Sequence, residues 1–117
     1  TNSAIAEYNE GKVILHRNPI DFSELLPSVV SFKNNRTIIG NKAKEKLLTD
    51  YKTTFSSFKR KMGSESVFKM DDSEEGISPI MLSSLVLKEL KSFLIEKEML
   101  GLIAPLTIIF YGLACVV

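Results

Sequence analysis

The chain has 117 residues, 44% of them hydrophobic and 25% charged, with six Gly and four Pro. That is one ordinary domain or a piece of a larger one, and it excludes a disordered or collagen-like chain. A net charge of +1 gives no bulk case for nucleic acid or an anionic membrane, and one Cys with one His excludes an internal disulfide and a structural zinc site.

Taken from the start, residues 3–8 and 12–16 are short apolar-rich runs separated by Asn9-Glu10-Gly11, a hairpin signal in which Gly supplies the positive φ of a tight turn. A polar stretch over residues 18–24 follows. Leu26-Pro27-Ser28-Val29-Val30-Ser31-Phe32 reads as one strand, with Pro27 near its start where a missing N–H spares the ladder. Asn34-Asn35 is a turn, and Thr37-Ile38-Ile39 returns as a strand before Gly40. Asn41 is expected to cap a short helix over residues 42–48 through its side-chain oxygen. Residues 54–62 read as a second short helix that stops at Gly63.

Asp71-Asp72-Ser73-Glu74-Glu75-Gly76 is a polar loop. After it, Ser78-Pro79 supplies an N-cap and a Pro at the first helical position. Apolar residues at spacings of three and four from Ile80 to Leu94, with Lys88, Glu89, Lys91 and Glu96 mostly opposite, predict one long amphipathic helix to about Lys97. Residues 99–117 carry no charge at all. Nineteen residues at about 1.5 Å each would nearly cross a hydrocarbon core of about 30 Å, so a membrane anchor is one reading. Gly101, Pro105 and Gly112 interrupt the run, however, and Thr107-Ile108-Ile109-Phe110-Tyr111 has the composition of a buried strand.

Little of the chain has the pattern of a reactive centre. The acidic loop does not fit the spacing of a calcium loop and reads as solvated. His16 has no carboxylate near it in sequence, which favours a surface or partly packed imidazole over a catalytic base. Cys115 lies in an apolar run without basic neighbours and reads as a packing thiol. Residues 33–61 hold nine Lys and Arg against Glu45 and Asp50. Most of these cations read as a solvated face. Lys59-Arg60-Lys61 stands out, because Phe55, Phe58 and Met62 can anchor it and a held lysine can act as a point charge for phosphate. Nucleic acid could use the same patch with Phe55 and Phe58 as stacking surfaces, although no nucleic-acid-binding module fits the elements. Neither common glycine-rich phosphate loop is present.

Five segments, in order, resemble the ATPase domain of the 70-kDa heat-shock chaperone family (DnaK/HscC-like). Thr1-Asn2-Ser3 resembles the end of its G-T-T-N-S phosphate loop. Leu26-Pro27-Ser28-Val29-Val30-Ser31-Phe32 resembles its T-P-S-V-V-x-F strand, and Ile39-Gly40-Asn41-Lys42-Ala43-Lys44 its L-I-G-x-x-A-K stretch. Phe58-Lys59-Arg60-Lys61-Met62-Gly63 resembles its [FI]-K-R-x-[IM]-G segment, and the stretch from Ser78-Pro79 to Leu90 its S-P-x-x-[IL]-S-x-x-V-L helix. The connection from Gly63 to Ser78 is shorter than in the general chaperones and looks more like the HscC-type branch.

The resemblance implies an α/β fold: a partial actin-like (ribonuclease H-like) lobe I of the ATPase, with β-hairpins, two short helices and the long amphipathic helix. It implies residues 1–97 as a partial nucleotide-binding domain, residues 98–117 as a divergent apolar segment, and ATP or ADP with Mg²⁺ as the family's cofactor. By position, Thr1 and Asn2 would touch the β- and γ-phosphates and the Mg²⁺ shell. Lys59 would hold the γ-phosphate and orient the attacking water, and Arg60 would support the nucleotide cleft. Partners of a complete family member would be unfolded polypeptides and co-chaperones, with no nucleic acid and a cytoplasmic location. The family's G-[IL]-D-L-G-T strand is not found ahead of Thr1, and residues 100–117 only faintly resemble its V-P-A-Y-F continuation. The expectation is therefore a fragment of an ATP-hydrolysing chaperone, inactive alone, and the alternative is a small membrane-anchored protein with residues 99–117 as anchor.

Overall fold

Both hairpins expected from the turn residues form. A computed structural model describes residues 1–70, 74–94, 106–110 and 113–116. In chain order the elements are β1 (Asn2–Asn9), β2 (Lys12–Leu15), β3 (Leu26–Pro27), β4 (Val30–Lys33), β5 (Arg36–Ile39), α1 (Asn41–Thr49), β6 (Thr54–Phe55), β7 (Phe68–Lys69), β8 (Gly76–Ile77), α2 (Pro79–Ser92), β9 (Leu106–Phe110) and β10 (Leu113–Val116), with 3-10 turns at Tyr51–Thr53 and Phe58–Lys61. The class is α/β, built from small antiparallel sheets and two α-helices. The chain divides into two units, Thr1–Leu26 with Lys88–Val117, and Pro27–Leu87.

In the first unit the sheet runs β10-β9-β1-β2, with β3 also paired to β1. Glu10 and Gly11 form the two-residue hairpin turn, at φ 49° and 74°. Two successive positive φ values match the right-handed twist of the flanking strands, and Gly takes that conformation without steric cost. The turn fixes Asn9 opposite Lys12 and Ala6 opposite Leu15. On its other edge β1 pairs antiparallel with β9, Ser3 opposite Phe110 and Glu7 opposite Leu106. The β-branched run at residues 107–111 thus contributes a strand, as its composition suggested; residue 111 itself lies outside the described residues. Among the described residues no helix is long and apolar enough to cross a membrane. With β9 and β10 as strands, the reading of residues 99–117 as a helical anchor is not favoured. Cys115 falls on β10; its packing lies outside the described residues.

The second unit is organised by β5-β4-β6, with α1 against all three strands. Asn34 and Asn35, at φ 51° and 60°, form a second hairpin turn of the same kind. The strand expected over residues 26–32 is broken, because Val29 N–H donates to Pro27 C=O at 2.9 Å. That three-residue turn diverts the Val29 N–H and separates β3 from β4, while Val29 C=O still accepts from Gly40 N–H at 3.1 Å. Gly40, not Asn41, caps α1: its φ of 91° and ψ of −140° belong to a region open essentially to glycine, and no side-chain cap bond forms. The helix expected at residues 54–62 is a strand followed by a single 3-10 turn. Thr54 pairs with Ser31 and Phe55 with Val30. Thr54 Oγ1 donates to Asp50 C=O at 2.8 Å, so the 2.9 Å bond between the buried hydroxyls of Ser31 and Thr54 has Ser31 as donor. These bonds hold residue 54 extended and leave only Phe58–Lys61 to coil.

At α2 the expected cap is present: Met81 N–H donates to Ser78 Oγ at 3.1 Å. Leu82, Val86 and Leu90 are fully buried one turn apart, and Lys88 and Lys91 are exposed. Ile80 and Met81, counted in the apolar stripe by spacing, are exposed. The helix ends at Ser92, not near Lys97; residues 95–97 lie outside the described residues, as do Asp71, Asp72 and Ser73 of the acidic loop.

Candidate functional site

The cationic segment begins where Ser57, at φ 55°, turns the chain into the 3-10 helix Phe58–Lys61. Arg60 N–H donates to Ser57 C=O at 3.3 Å and Met62 N–H to Lys59 C=O at 3.2 Å, which closes the turn. Phe58 is fully buried and anchors it. Phe55, the neighbouring anchor, packs its ring 6.1 Å from Phe32 and 5.8 Å from Phe68. Both anchors are therefore core side chains, at 0% and 7% exposure, and neither offers a stacking face to a nucleic-acid base.

Lys59 is half-buried beside these anchors, whereas Arg60 and Lys61 are exposed. Burial pushes the Lys59 amine down from its ordinary 10.5 to about 8, because a partly desolvated ammonium is harder to keep charged. Most of the remaining cations of residues 33–61 are exposed, as a solvated face requires. Lys33 and Lys46 each lie 3.4 Å from Asp50. Partial desolvation of Asp50 raises its pKa, but the hydrogen bonds and charges of the two lysines outweigh this and leave it below the ordinary carboxylate range. Lys33 thus links β4 to the end of α1, whereas the Lys46 pair is an i,i+4 contact at the end of α1 itself.

Thr1, exposed, and Asn2, half-buried, open β1 in the first unit; Ser3 behind them is fully buried. Lys59 and Arg60 share one turn of the second unit. The donor chemistry of the four suits phosphate: an ammonium, a guanidinium, a hydroxyl and a backbone N–H. It does not supply an acidic cage for a metal, and among the described residues no group of three or more His, Cys, Asp or Glu comes together. Among the described residues of the second unit are open clefts of about 350 to 460 Å³ that neither Lys59 nor Arg60 lines.

Two further arrangements were missed in the sequence. His16 is buried, and its Nε2 lies 3.0 Å from Glu7 Oε2, also buried. The backbone N–H of His16 donates to Ile5 C=O at 3.0 Å, which extends the hairpin ladder. The expectation of an imidazole without a carboxylate overlooked the register: with His16 across from Ile5 and Glu7 across from Ile14, the two side chains are diagonal neighbours on one face. The two-residue turn contained that signal. The second arrangement is Ser83, buried on α2, which donates its hydroxyl to Met62 Sδ at 3.6 Å.

A family model described as Hsp70 protein matches residues 1–101. The "Chaperone protein DnaK" of Mycoplasma mobile is 37% identical over 97 residues, which is 83% of this chain and 16% of that protein. The protein of the same name from Mycoplasmoides gallisepticum is 33% identical over 99 residues, again 83% of this chain and 16% of the relative. The chain thus spans about a sixth of the length of these curated relatives. The resemblance to the family is borne out: with most of its length matched, the chain belongs to the Hsp70 family.

Proposed function

We propose that the chain supplies part of the first lobe of an ATP-hydrolysing molecular chaperone, an actin-like lobe in which residues 1–97 form the nucleotide-binding portion. The observation that carries this reading is Lys59, a half-buried amine on a turn anchored by Phe58, inside the segment matched to the family. Desolvation makes its charge more valuable to a phosphate than that of a freely hydrated lysine, because the attraction is less screened. A terminal phosphoryl group gains negative charge on its oxygens as it transfers, so a fixed cation there lowers the barrier by position and electrostatics.

In this reading Lys59 holds the γ-phosphate and orients the attacking water. The Thr1 hydroxyl and backbone N–H groups of Thr1 and Asn2 would bond the β- and γ-phosphates and the shell of their Mg²⁺, and Arg60 would support the cleft. Mg²⁺, when bound with the nucleotide, would supply charge neutralisation at the phosphate oxygens. Hydrolysis in the complete protein is coupled to binding and release of unfolded polypeptides with co-chaperones, and the family likeness supports a cytoplasmic location. Residues 98–117 form a divergent apolar segment. The chain alone binds nucleotide weakly and turns it over negligibly.

Nuclear magnetic resonance titration of the purified chain with Mg·ATP tests the reading. Expected are shifts that include Thr1, Asn2 and the turn at residues 58–61, reversed by competing tripolyphosphate and lost in Lys59→Ala. Shifts of equal size in Lys59→Ala would remove Lys59 from the site, and brisk turnover lost in Lys59→Ala would contradict the expected inactivity.

A further inference from the structure

We propose that Met62 is a methionine oxidation site through which a peroxide alters the turn that carries Lys59. Met62 is 47% exposed, so an oxidant in solution reaches it, yet its sulfur accepts the hydroxyl of Ser83, whose residue is only 8% exposed. The same residue closes the 3-10 turn, because its N–H bonds the carbonyl of Lys59. One exposed residue thus links an oxidisable sulfur, a hydroxyl of α2 and the turn of the cationic segment.

The chemistry needs only a two-electron peroxide oxidant. The O–O bond breaks, an S–O bond forms at Met62 Sδ, the thioether loses two electrons, and the peroxide, reduced, leaves as water or an alcohol. The thioether becomes a polar, chiral sulfoxide. A Ser83 Oγ to Met62 Sδ separation of 3.6 Å leaves no room for an added oxygen between them. Either the sulfur withdraws so that the new oxygen can accept from Ser83, or the oxygen turns to solvent and the buried hydroxyl loses its acceptor. The first outcome moves the Met62 side chain and the second removes its tie to α2, so either acts on the residue whose N–H bonds the carbonyl of Lys59. Met81, 55% exposed on α2, serves as an internal comparison. The bearing on nucleotide handling rests on the role proposed for Lys59, whereas oxidation and the movement of the turn do not.

The test treats the full purified chain with hydrogen peroxide and follows each methionine by peptide mass spectrometry and the amides of residues 58–63 by nuclear magnetic resonance. Expected is one added oxygen on Met62 on the same timescale as on Met81, with shifts of the Lys59 and Met62 amides that methionine sulfoxide reductase reverses. Met62→Leu, nearly equal in volume, should show no peroxide-dependent shift there. Ser83→Ala should displace these amides before oxidation and reduce the further change on oxidation. Met62 remaining reduced while Met81 is consumed, or an oxidised Met62 with unmoved Lys59 and Met62 amides, overturns the proposal. No nucleotide is present, so failure here leaves the phosphate reading standing, and failure of the phosphate reading leaves this one standing.

Discussion

The two hairpins share a turn type and differ in what they hide. At β4–β5 the strand buries Val30 and Ser31 and leaves Lys33 and Arg36 outside. At β1–β2 the order is inverted: the acid–base pair Glu7 and His16 is buried, while Val13, Ile14 and Leu15 are exposed. Turn chemistry sets strand register in both, but it does not decide which side chains are covered. Burial of the polar pair is tolerable in the first because each group is the other's hydrogen-bonding partner. In the second unit half-burial of a cation is confined to Lys46, which meets Asp50, and Lys59.

The largest expected effect tests the conventional core of the second unit. Phe58→Ala empties a fully buried site and should cost about 3–5 kcal/mol by urea unfolding, with the turn of Lys59 lost at the same time. A loss below about 1 kcal/mol would show that the cationic turn does not depend on its anchor.

The inverted hairpin should respond next. Glu7→Ala leaves the buried imidazole without its partner and should cost about 1–3 kcal/mol. Replacing both, Glu7→Leu with His16→Leu, should cost less than the two single changes together, because no polar group is then left unsatisfied. Strict additivity would mean that the pair is not coupled.

A smaller effect, of opposite sign, is expected at Lys59. Its pKa in the folded chain lies near 8, below the ordinary 10.5, so the folded state binds fewer protons across that interval. Stability should therefore rise as pH increases from about 8 towards 10.5. Lys59→Met should stabilise the chain at neutral pH by about 1 kcal/mol, a discounted figure for a half-exposed amine, and lose that advantage at high pH. Asp50→Asn should have the smallest effect. The Asp50 pKa is held below 3.8, so its contribution is full above that value and declines as the pH falls below it.

What the sequence disclosed was largely local. Glu10-Gly11 and Asn34-Asn35 announce their turns because few residues accept positive φ, and Ser78-Pro79 announces α2 because cap and first-turn chemistry is specific. The break at Ser28-Val29 was hidden, since a carbonyl bond from Pro27 leaves no trace in hydrophobic alternation. The helix expected at residues 54–62 failed because Thr54 is held by Ser31, which is distant in sequence, as well as by nearby Asp50. Glu7 and His16 were legible only through the register. For Lys59, neighbouring residues of one charge suggested a solvated face; its ordered setting among family motifs marked it out, and its half-burial is consistent with that distinction.

The most direct measurement is the titration of the Lys59 side-chain amine by nuclear magnetic resonance, without and with Mg·ATP. A phosphate beside the amine favours its charged form and must raise its pKa. The account predicts a value near 8 in the free chain that moves upward with nucleotide. An amine that titrates at 10.5 and stays there when nucleotide is added would contradict it.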